Sequence, residues 1–402
     1  MRLIDAVLRR GQPLDAAQAA ATRDIPRADD RALAHGLAAE VLRWLVDLDA
    51  LIDGATRQRL PDDAKARTVL RVALAGSLRL GTPPHAAIAT VLPLVDGGPR
   101  KLVHGVFGAL TRAGATLPAA PTLPAAVADR WRGAWGDATV AAASRALAAP
   151  PPLDLSLRGE VPEGMDGVSL APGHLRLPRS GPVAALPGYA EGAWWVQDIA
   201  ATIPARLIGE GPGRVLDLCA APGGKAMQLA AAGWSVTAVD ASESRLARLR
   251  DNLERTKLTV EVVRADLLQW SSPARADAVL LDAACSATGI FRRHPDVLHR
   301  ARASVIAEAA ELQMRLFDRA AEWVRPGGVF VYATCSLEPE EGEEQLGRFM
   351  AAHLDFAIDP PREGELPDGV VATDGGWVRT LPGTLEAEGG CDGFFVARLR
   401  RS

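Results

Sequence analysis

Four cysteines occur in the chain of 402 residues, and two of them, Cys285 and Cys335, follow similar apolar runs. Ala276 to Asp282 leads into Asp282-Ala-Ala-Cys285-Ser-Ala-Thr-Gly289, and Val329 to Thr334 leads into Cys335-Ser336. A free cysteine is by default a small buried hydrophobe. Two thiols leaving strands at the same edge of one parallel sheet carry a second reading, as groups that face one pocket and act on one substrate atom. An unperturbed thiol has a pKa of about 8.5, so a nucleophilic one needs positive charge or a base nearby. Lys225 is the candidate for that help, and Asp282, at the strand end before Cys285, for a hydrogen bond to the acceptor. With Cys219 and Cys391 the four thiols show neither CxxC spacing nor disulfide density, so no metal site is expected.

The elements that must position these groups begin near Gln197, where a strand-turn-helix pattern repeats. Strands are expected at Arg214 to Cys219, Ser235 to Asp240, Val260 to Ala265, Ala276 to Asp282 and Val329 to Thr334. Helices are expected from Lys225 to Ala232 and after Ser242, whose hydroxyl can cap one. This alternation predicts an α/β Rossmann-like parallel sheet covered on both faces, with ligands at the carboxyl ends of its strands.

The rest of the chain is organised differently. Up to about Arg112 the pattern is helical, as in Leu33, Leu37, Val41, Leu42, Leu45, Leu48 and Leu51, and basic residues outnumber acidic ones. Thr116 to Ala126 and Ala149 to Pro152 read as breaks, and Leu153 to Trp195 as short strands between Gly and Pro turns. The expected plan is multidomain: an all-α domain over 1–125, a linker and small strand-rich α+β module over 126–194, and the α/β domain over 195–402. With 45 basic against 49 acidic residues, formal charge −4, no global polycation exists, so any nucleic-acid binding must be patch-wise. No apolar run approaches the ~18 residues of a membrane span, and the first residues lack a leader's apolar core, so a reducing, cytoplasmic setting is expected.

The first strand of the α/β domain runs into Cys219-Ala220-Ala221-Pro222-Gly223-Gly224-Lys225. Such a turn lets a cofactor approach the backbone at a helix N-terminus. Asp240 ends the second strand, where a carboxylate can bond ribose hydroxyls, and Asp266 ends the third, where one can accept from an adenine amino group; an N-cap role is the plain alternative for both. Neither a GxGxxG nor a GxxxxGK[ST] loop is present, and Asp217 would repel a pyrophosphate, whereas it suits the ammonium and sulfonium of S-adenosylmethionine. Thiols are wanted when the methyl acceptor is carbon 5 of cytosine, which is too weak a nucleophile unless a thiolate first adds to carbon 6. Asp282 would then bond the cytosine amino and protonated N3 edge.

Together these motifs resemble the bacterial RsmB (Fmu/Sun) branch of RNA 5-methylcytosine methyltransferases, related to the NOL1/NOP2/Sun enzymes. The shared stretches are CAAPGGK (Cys219 to Lys225), Asp282 to Gly289, RRHPD (Arg292 to Asp296), ATCSLEPEE (Ala333 to Glu341), DGFFVARL (Asp392 to Leu399), and WVQD (Trp195 to Asp198). The segment Pro83 to Arg112 looks like the end of a NusB-like RNA-binding domain. The resemblance implies that Cys335 is the nucleophile and Cys285 assists product release, with Cys219 to Lys225, Asp240, Asp266 and Asp282 around S-adenosylmethionine. It leaves Cys391 structural. It also implies a monomer acting on RNA, 16S rRNA free or early in assembly, with Arg292, Arg293 and His294 as backbone contacts; pairing of these with Asp296 or nearby acids is the alternative. Where the family has Asp-Ala-Pro-Cys-Ser-Gly-Thr-Gly, Ala284 and Ala287 replace the proline and first glycine, a change expected to loosen Cys285. The rival readings are a non-catalytic assembly factor that keeps the fold, a methyltransferase acting on tRNA, and one acting on a small molecule or protein.

Overall fold

Apolar side chains at three- and four-residue spacing fold the first part of the chain into helices. The computed structural model describes residues 1–179 and 181–402. It divides into two units, Met1–Pro150 with Phe291–Arg302, and Pro151–Ile290 with Ala303–Ser402. Among the described residues the first unit contains α1 (Arg2–Leu8), α2 (Leu14–Ala21), α3 (Ala28–Arg43), α4 (Leu45–Gly54), α5 (Lys65–Leu78), α6 (Pro84–Val91), α7 (Gly97–Arg112) and α8 (Ala125–Leu147). Val41, Leu42 and Leu48 are buried as the spacing implies, whereas Leu33 is 61% exposed at the start of α3. Several of the arginines are structural: Arg67 and Arg71 are buried against Asp49, at 3.0 and 2.7 Å.

Two boundaries differ from expectation. The Pro/Ala/Thr stretch is strapped down, with the Thr122 backbone N–H and hydroxyl donating to Asp47 at 2.9 and 2.7 Å. Helix α8, broken at Gly136 (φ 80°), then lies in the first unit, so the change of unit falls at Pro150 and not at 125. The strand-rich module belongs to the second unit.

That module is a three-stranded antiparallel sheet, β2-β1-β3, from β1 (Leu153–Leu157), β2 (His174–Leu177) and β3 (Trp194–Val196). Inside it Arg176 grips Asp154 through two bonds of 2.6 and 2.7 Å. Burial alone would raise the Asp154 pKa, but Arg176 and His174 hold it down to about 2.

The larger sheet is built by α9 (Ile199–Ile208), β4 (Arg214–Leu218), α10 (Gly224–Ala231), β5 (Ser235–Asp240), α11 (Glu243–Thr256), β6 (Glu261–Arg264) and β7 (Ala276–Asp282). After α12 (Val297–Arg300), which lies in the first unit, come α13 (Ala303–Ala321), β8 (Val324–Thr334), α14 (Glu343–Ala352), β9 (Phe356–Ile358), β10 (Val378–Thr380) and β11 (Phe394–Arg401). Strand order is β10-β11-β8-β7-β4-β5-β6, with β9 on β11. The β4, β5, β6, β7 and β8 ladder is parallel and β11 is antiparallel to β8. The expected strands are present to within a residue or so at most ends, because strands buried on both faces read as near-continuous apolar runs. The Arg325-Pro326-Gly327-Gly328 turn is absorbed into β8 as an irregularity, with Ala276 opposite Val324 and Ala278 opposite Val329. This is the Rossmann-like fold, and its order reverses at β4, beside which the strands carrying Asp282 and Cys335 line up.

Candidate active site

Asp240 and Asp282 end β5 and β7 and Cys335 directly follows β8, because each closes an apolar run; Cys285 comes three residues after β7. Beyond β7 and β8 the two sulfur atoms meet, Cys285 Sγ lying 3.4 Å from Cys335 Sγ. That contact, together with burial, pushes the Cys285 thiol well above the usual cysteine pKa. Cys219 is pushed up to about 12 by burial and stays a thiol, and Cys391 is buried with its Sγ 3.8 Å from the Thr384 carbonyl.

Next to the thiols, Lys225 Nζ donates to Asp282 Oδ2 at 2.8 Å and lies 5.2 Å from the centre of the Phe394 ring. Burial works against the lysine's charge, but Asp282, Cys335 and Asp217 more than offset it and hold its pKa above the usual value. The ammonium is therefore a fixed cation, bonded to Asp282.

The loop after β4 makes the turn through unusual backbone. Cys219 has φ 60° and Gly223 φ 105°, and a side chain at Gly223 would also strike Leu249. Asp240 is buried and ties this loop to β5: it accepts from Ala221 N (3.2 Å), Ser242 N (2.8 Å) and Arg245 Nη2 (2.9 and 2.8 Å). The Arg245 side chain is half exposed, whereas Asp240 is 1% exposed. Asp266 lies in a turn between β6 and β7, where it accepts from Leu268 N at 3.0 Å and Gln269 Nε2 at 3.2 Å.

Asp217 tests the fit of a cationic cofactor. It is wholly buried, and neither carboxylate oxygen has a hydrogen-bond partner. Burial, then the neighbouring Asp282, raises its pKa to about 8, so without ligand it is neutral at pH 7. A buried, unsatisfied carboxyl in a small-residue cradle fits the ammonium and sulfonium of S-adenosylmethionine. Because a cation favours the ionised form, cofactor binding at pH 7 is expected to release up to about one proton and to tighten as pH rises toward about 8. Calorimetry in buffers of different ionisation enthalpy measures that proton; its absence in the native chain, or its persistence in Asp217→Asn, would refute the assignment. The same group favours the ligand-free fold at acid pH, and this contribution is lost as pH climbs through about 8.

The Cys285 loop is held without the family's proline. Gln313 Nε2 donates to the Ala284 carbonyl at 2.9 Å, and Ser286 N donates to Glu341 Oε1 at 2.8 Å. Ala287 sits at φ 58°, the left-handed conformation for which the family's glycine is suited, at a cost of roughly 1–2 kcal/mol. Gly289 permits a close approach: a Cβ there would lie 1.9 Å from the Gly393 carbonyl oxygen.

The RRHPD segment is the main correction. Arg292 is 4% exposed, so it is not presented to an RNA backbone. Phe291–Arg302 is part of the helical unit, where the Arg292 carbonyl accepts from Arg43 Nη2 at 3.1 Å and Asp296 accepts from Leu14 N at 3.2 Å, capping α2. His294 lies 3.4 Å from Asp15, and burial lowers its pKa. Arg293 is half-buried in the same segment. Of the three candidates, His294 is seen beside an acid, Asp15. Sequence reasoning missed Glu341, Gln313, Ser286, Ser336 and Arg245, which carry no spacing signature. Among the described residues no cluster of metal-ligating side chains is present, and no helix is long and apolar enough to cross a membrane.

The strand order, the cradle after β4 and the unsatisfied Asp217 define a Rossmann-like methyltransferase that uses S-adenosylmethionine. A family model described as 16S rRNA methyltransferase RsmB/F matches residues 207–400, and one described as NusB family matches residues 1–108. Ribosomal RNA small subunit methyltransferase B of Klebsiella pneumoniae (strain 342) is 34% identical over 407 residues, covering 92% of this chain and 90% of that protein. Its namesake in Xylella fastidiosa (strain 9a5c) is 35% identical over 423 residues, covering 99% and 98%. The crystal structure of PH0851 shares the fold, with a TM-score of 0.76 at 23% identity over 100% of this chain and 98% of that one. The chain belongs to the RsmB/F family of rRNA methyltransferases, with a NusB-like helical domain at its N-terminal end.

Proposed function

We propose that the chain methylates carbon 5 of a cytosine in RNA, small-subunit (16S) rRNA free or early in assembly, acting in the cytoplasm as a monomer. The observation that carries this reading is the meeting of two strand-end sulfurs at 3.4 Å beside the pair of buried Lys225 and half-buried Asp282. Methyl transfer to oxygen or nitrogen needs no such pair of thiols. The substrate class follows from the curated relatives, which are named for the small-subunit ribosomal RNA.

When bound, S-adenosylmethionine supplies an electrophilic methyl group on a cationic sulfur. Cys335, as thiolate, adds to carbon 6 and pushes electron density to carbon 5, which takes the methyl. Asp282 steadies the amino and N3 edge as charge develops there, and Lys225 favours the thiolate. Cys285, ionised, then takes the carbon 5 proton, and the carbon 6–sulfur bond breaks to release Cys335 as thiolate and return cytosine to aromaticity. The target must be single-stranded or flipped out of its stack, because a stacked base cannot offer carbon 6 to a buried thiol.

Incubation of the purified chain with unmodified 16S rRNA and methyl-labelled cofactor, followed by bisulfite sequencing, tests the reading. One protected cytosine is the expected result. Label on another base or on another atom of cytosine, or none on any RNA, would overturn it.

A further inference from the structure

Glu341 lies in a short 3-10 turn, Pro339–Glu341, is 0% exposed, and has no part in the chemistry described so far. Its carboxylate receives four donors. Oε1 accepts Ser286 N at 2.8 Å and Gln313 Nε2 at 3.0 Å, and Oε2 accepts the hydroxyls of Ser286 and Ser336. All the acceptor positions of a carboxylate are thereby filled. Ser286 and Ser336 are the residues immediately after Cys285 and Cys335.

We propose that Glu341 is the positioning residue of the two-thiol site, one buried carboxylate that holds both cysteine-bearing loops in register and so sets the separation of their sulfur atoms. The proposal rests on the reading that both sulfurs act in the reaction. Other ties between the loops exist beside this one, and the Ser286 and Ser336 hydroxyls, which both bond Glu341, themselves lie 3.2 Å apart. Ala283 N donates to the Ala333 carbonyl at 2.9 Å, Gly289 N to the Cys335 carbonyl at 3.0 Å, and Leu337 N to Thr288 Oγ1 at 2.9 Å. Between these points the chain carrying Cys285 is fixed on one side by Gln313 at Ala284 and on the other by Glu341 at Ser286. Gln313 is itself bonded to Glu341. With alanine at 284 in place of a proline, the stiffness of this loop comes from that buried pair and not from a ring. Burial raises the Glu341 pKa overall, and the bonds from Ser286, Ser336 and Gln313 offset only part of that rise.

The test uses the full chain and two readouts. The first is the rate at which diamide links Cys285 to Cys335, measured by peptide mapping without RNA or cofactor; the second is kcat and KM for methylation. In Glu341→Ala both the linking rate and kcat are expected to fall, linking by about tenfold or more and kcat by about 100-fold, with KM for cofactor little changed. Glu341→Gln, which keeps one acceptor oxygen for Ser286 N, should recover part of each. If the alanine variant does not fold, the Ser286→Ala/Ser336→Ala pair carries the same comparison. A folded Glu341→Ala chain with an unchanged linking rate overturns the proposal, whatever its activity. If the linking rate falls but the native chain makes no 5-methylcytosine, the positioning inference stands and the proposed reaction fails.

Discussion

Cys335→Ala is expected to reduce methylation by roughly 10⁴-fold or more, the order lost when a covalent nucleophile is removed, while cofactor binding is retained. Carbon 5 of cytosine is left with only poor alternatives in this pocket. Cys219 is pushed up to about 12 and stays protonated. Cys285 is close enough to substitute but is held well above the usual pKa, first by its contact with Cys335 and then by burial. Deleting Cys335 removes the first of these causes, so any residual activity should come through Cys285 and rise with pH. Cofactor binding is spared because Asp217, Asp240 and the Cys219 to Lys225 loop make no bond to the Cys335 side chain among those observed. Single-turnover methylation and calorimetric titration of the cofactor read the two quantities separately. Normal turnover in the variant would remove Cys335 from the reaction altogether.

Much of this site could be read before any coordinates, for a physical reason. A parallel sheet buried on both faces writes each central strand as an apolar run, and ligands of such sheets collect at the carboxyl ends, so the residues after each run name the pocket. That logic found Asp217, Asp240, Asp282, Cys285 and Cys335. It did not find β9, β10 and β11, which are antiparallel additions with no strand-turn-helix repeat to announce them. Helix α8 was hidden as linker because its alanines and Gly136 blur the helical period. Arg292 misled because a charged run looks the same whether it faces solvent or is folded into a helical unit through its neighbours Phe291 and Asp296. Glu341 was visible only as the last residue of the ATCSLEPEE stretch, with no role attached to it. What distinguishes it is the set of four donors converging from Ser286, Ser336 and Gln313, residues up to 55 positions away.

Cys285→Ala should fail at the opposite end of the reaction. With Cys335 intact, addition to carbon 6 and methylation of carbon 5 proceed once, and the nucleotide then stays joined to the protein. Completing the cycle requires removal of the carbon 5 proton and departure of the Cys335 sulfur, steps to which a positioned acid or base contributes typically about 10²–10⁴-fold. Protonated in the resting site, Cys285 is poorly suited to the first attack. Once Cys335 is bonded to carbon 6, the contact that chiefly raises the Cys285 pKa is gone, so Cys285 can ionise and take the carbon 5 proton as the Cys335 sulfur leaves as thiolate. The expected result is a methylated protein–RNA adduct that survives a denaturing gel and approaches one per chain, with multiple turnover lost to the same degree. The double variant Cys285→Ala/Cys335→Ala should show neither adduct nor product, which separates a covalent bond through Cys335 from adventitious capture. An adduct seen only in Cys335→Ala would exchange the two roles. Full turnover with no adduct in either single variant would mean that the sulfur pair, for all its proximity, is not what carries the methyl group to carbon.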